Sequence, residues 1–323
     1  MPILLEEDLQ RPLPRMYRVR QQFDETRLED VAGTVRAELA KPEIRALVKP
    51  GMRIAVGVGS RGIQNLYTIV ETTVNSLKEL GAEPFIVSAM GSHGGGTEEG
   101  QREVLAGYGI TEERLGVPVV TTVDTVYLGN CANGRPVWFD RAAYEADLIV
   151  PINRVKLHTD FVGPIQSGLC KMLVIGLGNH KGCSAVHEEA PEVFADAIEE
   201  TARLILQKAP VGFGIAILEN AYDKTYAVEA VPAEHLVERE KELVQIAKGN
   251  MPYIMLDEAD VIVCGAIGKD ISGAGFDPNI LGRSSVLKQF VLHIPRYQRL
   301  VLCDVTPASH GNGIGVGLFD VIT

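Results

Sequence analysis

The chain is short of positive charge, of cysteine pairs and of long apolar runs, and each shortage removes a class of function. Its 31 Lys and Arg face 42 Asp and Glu, a formal charge of -11. Binding along nucleic acid needs a clustered cationic surplus to neutralise phosphates, so no nucleic-acid partner is expected. The nearest basic cluster, RPLPRMYRVR at residues 11–20, reads as a solvated N-terminal arm or an oligomer contact. The five cysteines, Cys131, Cys170, Cys183, Cys264 and Cys303, are odd in number, scattered and without a CxxC pair. Neither a disulfide framework nor a cysteine zinc site follows, and a reducing cytoplasm is the expected compartment. No stretch approaches the ~18 apolar residues of a membrane span. The start, MPILLEEDLQ, is acidic and lacks the apolar core of a signal peptide. Internal repeats and low-complexity segments are absent as well.

What is present fits about two α/β domains of roughly 100–200 residues each. A helical pattern from Asp24 to Val48 precedes RIAVGVGSRG, a strand at 53–58 running into a tight glycine turn. Ile63, Leu66, Ile69, Val70, Val74 and Leu77 then keep a helical period, Gly81 closes the helix, and PFIVSA forms a second strand at 84–89. Such a βαβ unit implies parallel strands packed against helices. Further strands are expected at 118–122, 147–152, 172–177, 212–218, 260–265 and 299–303, with helices over 189–207 and 233–249. The expected architecture is two domains of mostly parallel sheets flanked by helices, with the active-site cleft between them. KGNMPYIMLDEAD at 248–260 reads as the hinge. It divides an N-terminal domain that binds cofactor and substrate, 1–250, from the start of a C-terminal α/β domain, 251–323. The glycine-rich end, SHGNGIGVGLFDVIT, lacks a closing element, so that either the fold ends abruptly there or the sequence is less than the whole protein.

Several motifs sit where open α/β sheets place ligands, beyond the carboxyl ends of strands. Gly57, Gly59 and Gly62 spell GxGxxG between a strand and a helix, the context of a dinucleotide fingerprint. The following strand ends Ser88, Ala89, Met90, without the acidic residue that would hold a ribose. A turn that brings Arg61 and backbone N–H groups to an anion is the better reading, with a plain surface arginine as the alternative. In GSHGGGTEEG, residues 91–100, Thr97 serves as a helix N-cap and Glu98 and Glu99 suit the first turn. His93 stands unshielded among glycines. PINRVKLHTDFVG, residues 151–163, brings Asn153, Arg154, Lys156, His158 and Asp160 to the same sheet edge. His93 and His158 could act as an acid–base pair on opposite faces of a substrate, while a loop hydrogen bond would account for His158 equally well. Lys171, bordering MLVI, is either a snorkelling surface residue or a desolvated nucleophile. From spacing alone, His180 and His187 compete as a metal ligand.

These residues resemble the nickel-dependent lactate racemase superfamily, whose cofactor is a nickel pincer nucleotide. The family has a lysine bound covalently to the cofactor and a nickel-ligating histidine sixteen residues later, the spacing of Lys171 and His187. Its arginine corresponds to Arg61 in VGSRG, its two catalytic histidines to His93 and His158, and its C-terminal lysine to Lys269 in IGKDISGAGFDPN. His158 stands about three residues farther from the lysine than in lactate racemase proper, and Val58 replaces a family aspartate.

The resemblance implies a cytoplasmic isomerase, a racemase or epimerase of a 2-hydroxy acid. It implies hydride transfer to and from the tethered cofactor, with His93 and His158 handling the hydroxyl proton, Arg61 clamping the carboxylate and Lys269 closing over the site. A small-molecule substrate, upstream cofactor-synthesis enzymes and a homo-oligomer are the partners it suggests, with no membrane. Two alternatives stand beside it: a nicotinamide-dependent dehydrogenase using the turn at 57–62, and a catalytically inactive binding protein of the same fold. The polar loops at 61–66, 153–166 and 269–283, with Gln64, Asn65, Asp270, Asn279 and Arg283, hint at a substrate carrying more hydroxyls or a second carboxylate than lactate.

Overall fold

The computed structural model describes Glu7, Gln10, Pro12 and residues 15–323. The rest of the acidic start and the first part of the basic arm lie outside the described residues; residues 15–20 of that arm are exposed. The larger sheet contains β1 (Arg53–Val58), β2 (Glu83–Ser88), β3 (Val119–Val120), β6 (Leu148–Arg154), β7 (Phe213–Glu219) and β8 (Thr225–Pro232). Their spatial order is β3-β2-β1-β6-β7-β8, parallel throughout except for the antiparallel β8. A smaller parallel sheet has the order β11-β10-β9, from β9 (Glu258–Cys264), β10 (Arg296–Leu302) and β11 (Val321–Ile322). Between β3 and β6, β4 (Thr125–Asn130) and β5 (Pro136–Asp140) form an antiparallel hairpin.

The run RIAVGV explains why β1 is central. Ile54, Val56 and Val58 point into one core with α1 (Val31–Leu39) and α2 (Leu66–Glu79). Ala55 points into the opposite core, which also holds Phe85, Val87 and Ile149. A strand apolar at every position is what a sheet covered on both faces requires. Because β2 lies on one side of β1 and β6 on the other, the connection reverses direction at this point. The crevice beyond their carboxyl ends is where such folds bind ligands.

The structure corrects several local expectations. The helical region 24–48 is two helices, α1 and Pro42–Arg45, interrupted where Pro42 starts a new first turn. The helix of residues 189–207 begins at Phe194, beyond Pro191, and runs to Lys208; it is α6, following α3 (Glu98–Gly107), α4 and α5. The expected strand at 172–177 is helical: α4 spans Leu169–Lys171 and continues as a π-helical turn over Met172–Gly176. Met172, Leu173 and Val174 are buried on every side, and so short an apolar run carries no period to separate strand from helix. The helix α5 (Asn179–His187) follows it, and α7 (Leu236–Asn250) follows β8.

Candidate active site

Three loops leave adjacent strand ends and deliver the charged residues. Beyond β1 comes Arg61, exposed and free of any hydrogen bond or ion pair among the described residues. Beyond β2 comes His93. Its loop is latched from below by the buried Gln101 of α3, whose side chain bonds to Ser88 Oγ (2.6 Å) and to the Gly91 carbonyl (3.2 Å). Beyond β6 comes His158, whose main-chain N–H donates to Gln166 Oε1 (2.7 Å).

The fourth contributor is α4, and its sequence explains its placement. Glu240, fully buried on α7, accepts a hydrogen bond from the Cys170 N–H (2.9 Å), capping the first turn of the helix that carries Lys171. An anion is favoured at a helix N-terminus. Gly168 is required there, because a Cβ would lie 2.5 Å from the Glu240 carboxyl carbon. At the other end, the Asp140 N–H donates to the Leu177 carbonyl (2.6 Å), tying the helix to the β4–β5 hairpin. The π-turn, a feature frequent at functional sites, brings Gly176 against the histidine loop. The Gly91 N–H donates to the Gly176 carbonyl (3.0 Å). A Cβ on Gly91, whose φ is +60°, would sit 2.9 Å from the Ile175 carbonyl oxygen, and one on Gly176 would sit 2.8 Å from the Ala89 carbonyl oxygen.

An aromatic ladder fixes the remaining geometry. The His158 ring stacks on Phe161 (4.3 Å), Phe161 meets Phe194 (4.9 Å), and Phe194 meets the edge of His187 (5.1 Å). Lys171 Nζ lies over Phe161 and contacts His158 Nε2 at 2.5 Å. His158 Nδ1 accepts from the Asp160 N–H (3.0 Å), so a neutral imidazole carries its proton on Nε2. That proton faces Lys171, whose nitrogen must then offer a lone pair. This arrangement needs the free-amine form of Lys171, toward which burial moves it by lowering its pKa to about 8. His158 is pushed well below its usual range by desolvation and by Lys171 and Lys156 beside it. His93 is lowered too, first by desolvation and then by Arg61, Lys171 and Lys269; its Nδ1 bonds to Ser60 Oγ.

His187 Nδ1 lies 2.7 Å from the Cys183 carbonyl and 3.5 Å from the Cys183 thiol, contacts that raise its pKa. Donation from Nδ1–H to that carbonyl leaves the Nε2 lone pair outward, the form that ligates metal. His180 is exposed, and Lys181 beside it lies over the Trp138 ring (4.8 Å). Among the described residues no three His, Cys, Asp or Glu side chains converge as a metal site. A nickel held here needs a cofactor that brings ligands of its own. One outward histidine nitrogen, one free amine and a cationic surround for a phosphate fit that demand.

The smaller sheet reaches the same crevice. Lys269, exposed in the loop after β9, bonds through Nζ to the Gly273 carbonyl (2.6 Å), and Asn279 Nδ2 donates to the His158 carbonyl (3.0 Å). Met172 packs against the GxGxxG turn: a Cβ on Gly59 would be 3.0 Å from its Cε. Sequence reasoning missed Glu240, Ser60 and the Gly91–Gly176 contact. Glu240 left a signal, a carboxylate within the buried stripe Leu236, Val237, Leu243, Val244 and Ala247.

Residues 11–196 match the family model of the lactate racemase N-terminal domain. The structure of the lactate racemase apoprotein from Thermoanaerobacterium thermosaccharolyticum aligns with a TM-score of 0.57 at 13% identity, over 88% of this chain and 71% of that one. At that identity the likeness speaks for the fold. None of the curated proteins matches. With more than half of its length inside the family model, the chain belongs to the lactate racemase family.

Proposed function

We propose that the protein is a racemase or epimerase of a 2-hydroxy acid that works with a nickel pincer nucleotide. The observation that carries this reading is the convergence of two histidines of lowered pKa from neighbouring loops, His93 and His158, on the buried amine of Lys171, whose pKa is lowered to about 8. Lys171 would form the covalent tether and His187 would give its Nε2 to nickel. When bound, the cofactor supplies a reversible acceptor for the α-hydrogen, which is too weakly acidic to leave as a proton beside a carboxylate.

The chain's own residues do the rest. Arg61, unpaired, clamps the substrate carboxylate as a bidentate donor and fixes the reacting carbon. His93 takes or returns the hydroxyl proton, because the Ser60 hydroxyl can donate to or accept from Nδ1 as the ring changes state. His158 is set as a donor through Nε2. Its use as a base requires the ring proton on Nδ1, with the Asp160 carboxylate 3.9 Å away to stabilise the charged ring. Lys269 and Asn279 approach from the smaller sheet and exclude water.

Co-expression with cofactor-making enzymes, followed by intact-protein mass measurement and chiral chromatography of α-deuterated 2-hydroxy acids, tests the reading. A mass adduct on Lys171 and racemised product that keeps its deuterium are expected. An unshifted mass, or deuterium lost to solvent, would sink it. The dehydrogenase alternative would instead require tight NADH binding without nickel.

A further inference from the structure

Lys156 belongs to none of the roles above, yet it lies in the middle of the site. Val155 and Leu157 are each 1% exposed and point into the core, so Arg154, Lys156 and His158 share the opposite face of the extended chain leaving β6. The backbone is clipped on both sides: the Lys156 N–H donates to the Ser167 carbonyl (2.9 Å) and the Ser167 N–H to the Lys156 carbonyl (3.2 Å). The ammonium is thus presented from a fixed point.

Its neighbours are already engaged. Arg154 pairs with Glu219, whose other oxygen accepts from the Gln64 N–H (2.8 Å). Asp277 is occupied by the Asn279 N–H (2.9 Å) and Nδ2 (3.1 Å). Burial is the first cause that lowers the Lys156 pKa, Arg154 and Arg61 add to it, and the Asp277 and Glu219 carboxylates nearby oppose it without pairing with Nζ. No hydrogen bond or ion pair to Nζ exists among the described residues. A buried cation with no ion pair of its own gains from an arriving anion. On the reading given above, Arg61 serves the carboxylate next to the reacting carbon and Lys171 becomes neutral on tethering, so Lys156 is the charge left over.

We propose that Lys156 is the second anion-binding residue of this site, receiving a distal carboxylate, so that the enzyme takes 2-hydroxydicarboxylates in preference to monocarboxylates. This rests on the proposed function for the placement of the first carboxylate, but its test does not depend on turnover. Isothermal titration calorimetry of the full chain, without cofactor, compares malate, lactate and inorganic phosphate. Malate should bind at least about tenfold more tightly than lactate, the scale of one charge-assisted contact. K156M should bring the two within about twofold of each other, and K156R should keep most of the preference. Thermal unfolding of both variants checks that they fold.

Equal binding of malate and lactate by the wild type, or none, overturns the proposal. So does K156M that keeps the malate preference, and if that variant loses inorganic phosphate instead, Lys156 serves the nucleotide phosphate. Because binding is read directly, absent tethering or racemisation would count against the proposed function alone.

Discussion

The two parallel sheets begin from similar apolar strands, RIAVGV in β1 and EADVIVC in β9, and meet opposite fates. In β1 every residue from Ile54 to Val58 is buried, whereas in β9 Val261 is 49% and Val263 61% exposed. The difference lies in what connects the strands. Helices of nine to fifteen residues, α1, α2, α6 and α7, cover the larger sheet. Between β9 and β10 the one α-helix among the described residues is the four-residue Pro278–Leu281, too short to cover a sheet face. An apolar run specifies that a strand forms; whether both faces find cover depends on helices elsewhere in the chain.

On the proposed function the contrast also divides the chemistry, since the residues assigned as tether, ligand and acid–base pair belong to the larger sheet and Lys269 to the smaller. Lys171→Ala should abolish the cofactor adduct altogether, read by intact mass, while Lys269→Ala should leave the adduct in place and slow turnover. An adduct lost in Lys269→Ala would mean that the two regions do not divide the work. His93→Ala and His158→Ala should each lower racemisation about 10²- to 10⁴-fold with the adduct retained, measured by chiral chromatography. Stability should follow the same division. Ile149→Ala, in the covered sheet, should cost about 2–5 kcal/mol in denaturant unfolding. Val263→Thr should stay within about 0.5 kcal/mol, and a large loss there would show that the exposed face is covered in solution.

The smallest effect expected is one of pH. Lys171 is a free amine only above its lowered pKa of about 8, so the rate of tethering should fall about tenfold per unit below that value. The sign for stability follows from the same shift. Between about 8 and 10.5 the unfolded chain holds this proton and the folded chain does not, so the Lys171 contribution to apoprotein stability rises with pH there. A tethering rate flat between pH 6 and 8 would mean that the amine is not desolvated as described.

The parallel strands and the loops that bear Arg61, His93 and His158 were legible, because apolar runs ending in glycine-rich turns are local patterns. The form of Lys171's surroundings was not. KMLVIG suits strand and helix equally, and the choice is made by Glu240, seventy residues away from Cys170, docking at a glycine. The β4–β5 hairpin did carry a local signal, Asn133-Gly134, with Gly134 at φ +88°. Its strand β4 is only half-buried, so no strong alternation announced it. The role of Ser60 arises from a contact between loops, with His93, which no spacing along the chain encodes.

The Gly91–Gly176 contact leaves no space for a side chain between the histidine loop and the lysine helix. The backbone of the loop that carries His93 is therefore seated directly on the helix that carries Lys171. On the proposed function, loading and turnover would be events on separate clocks, the first happening once in the life of a molecule and the second once for every substrate.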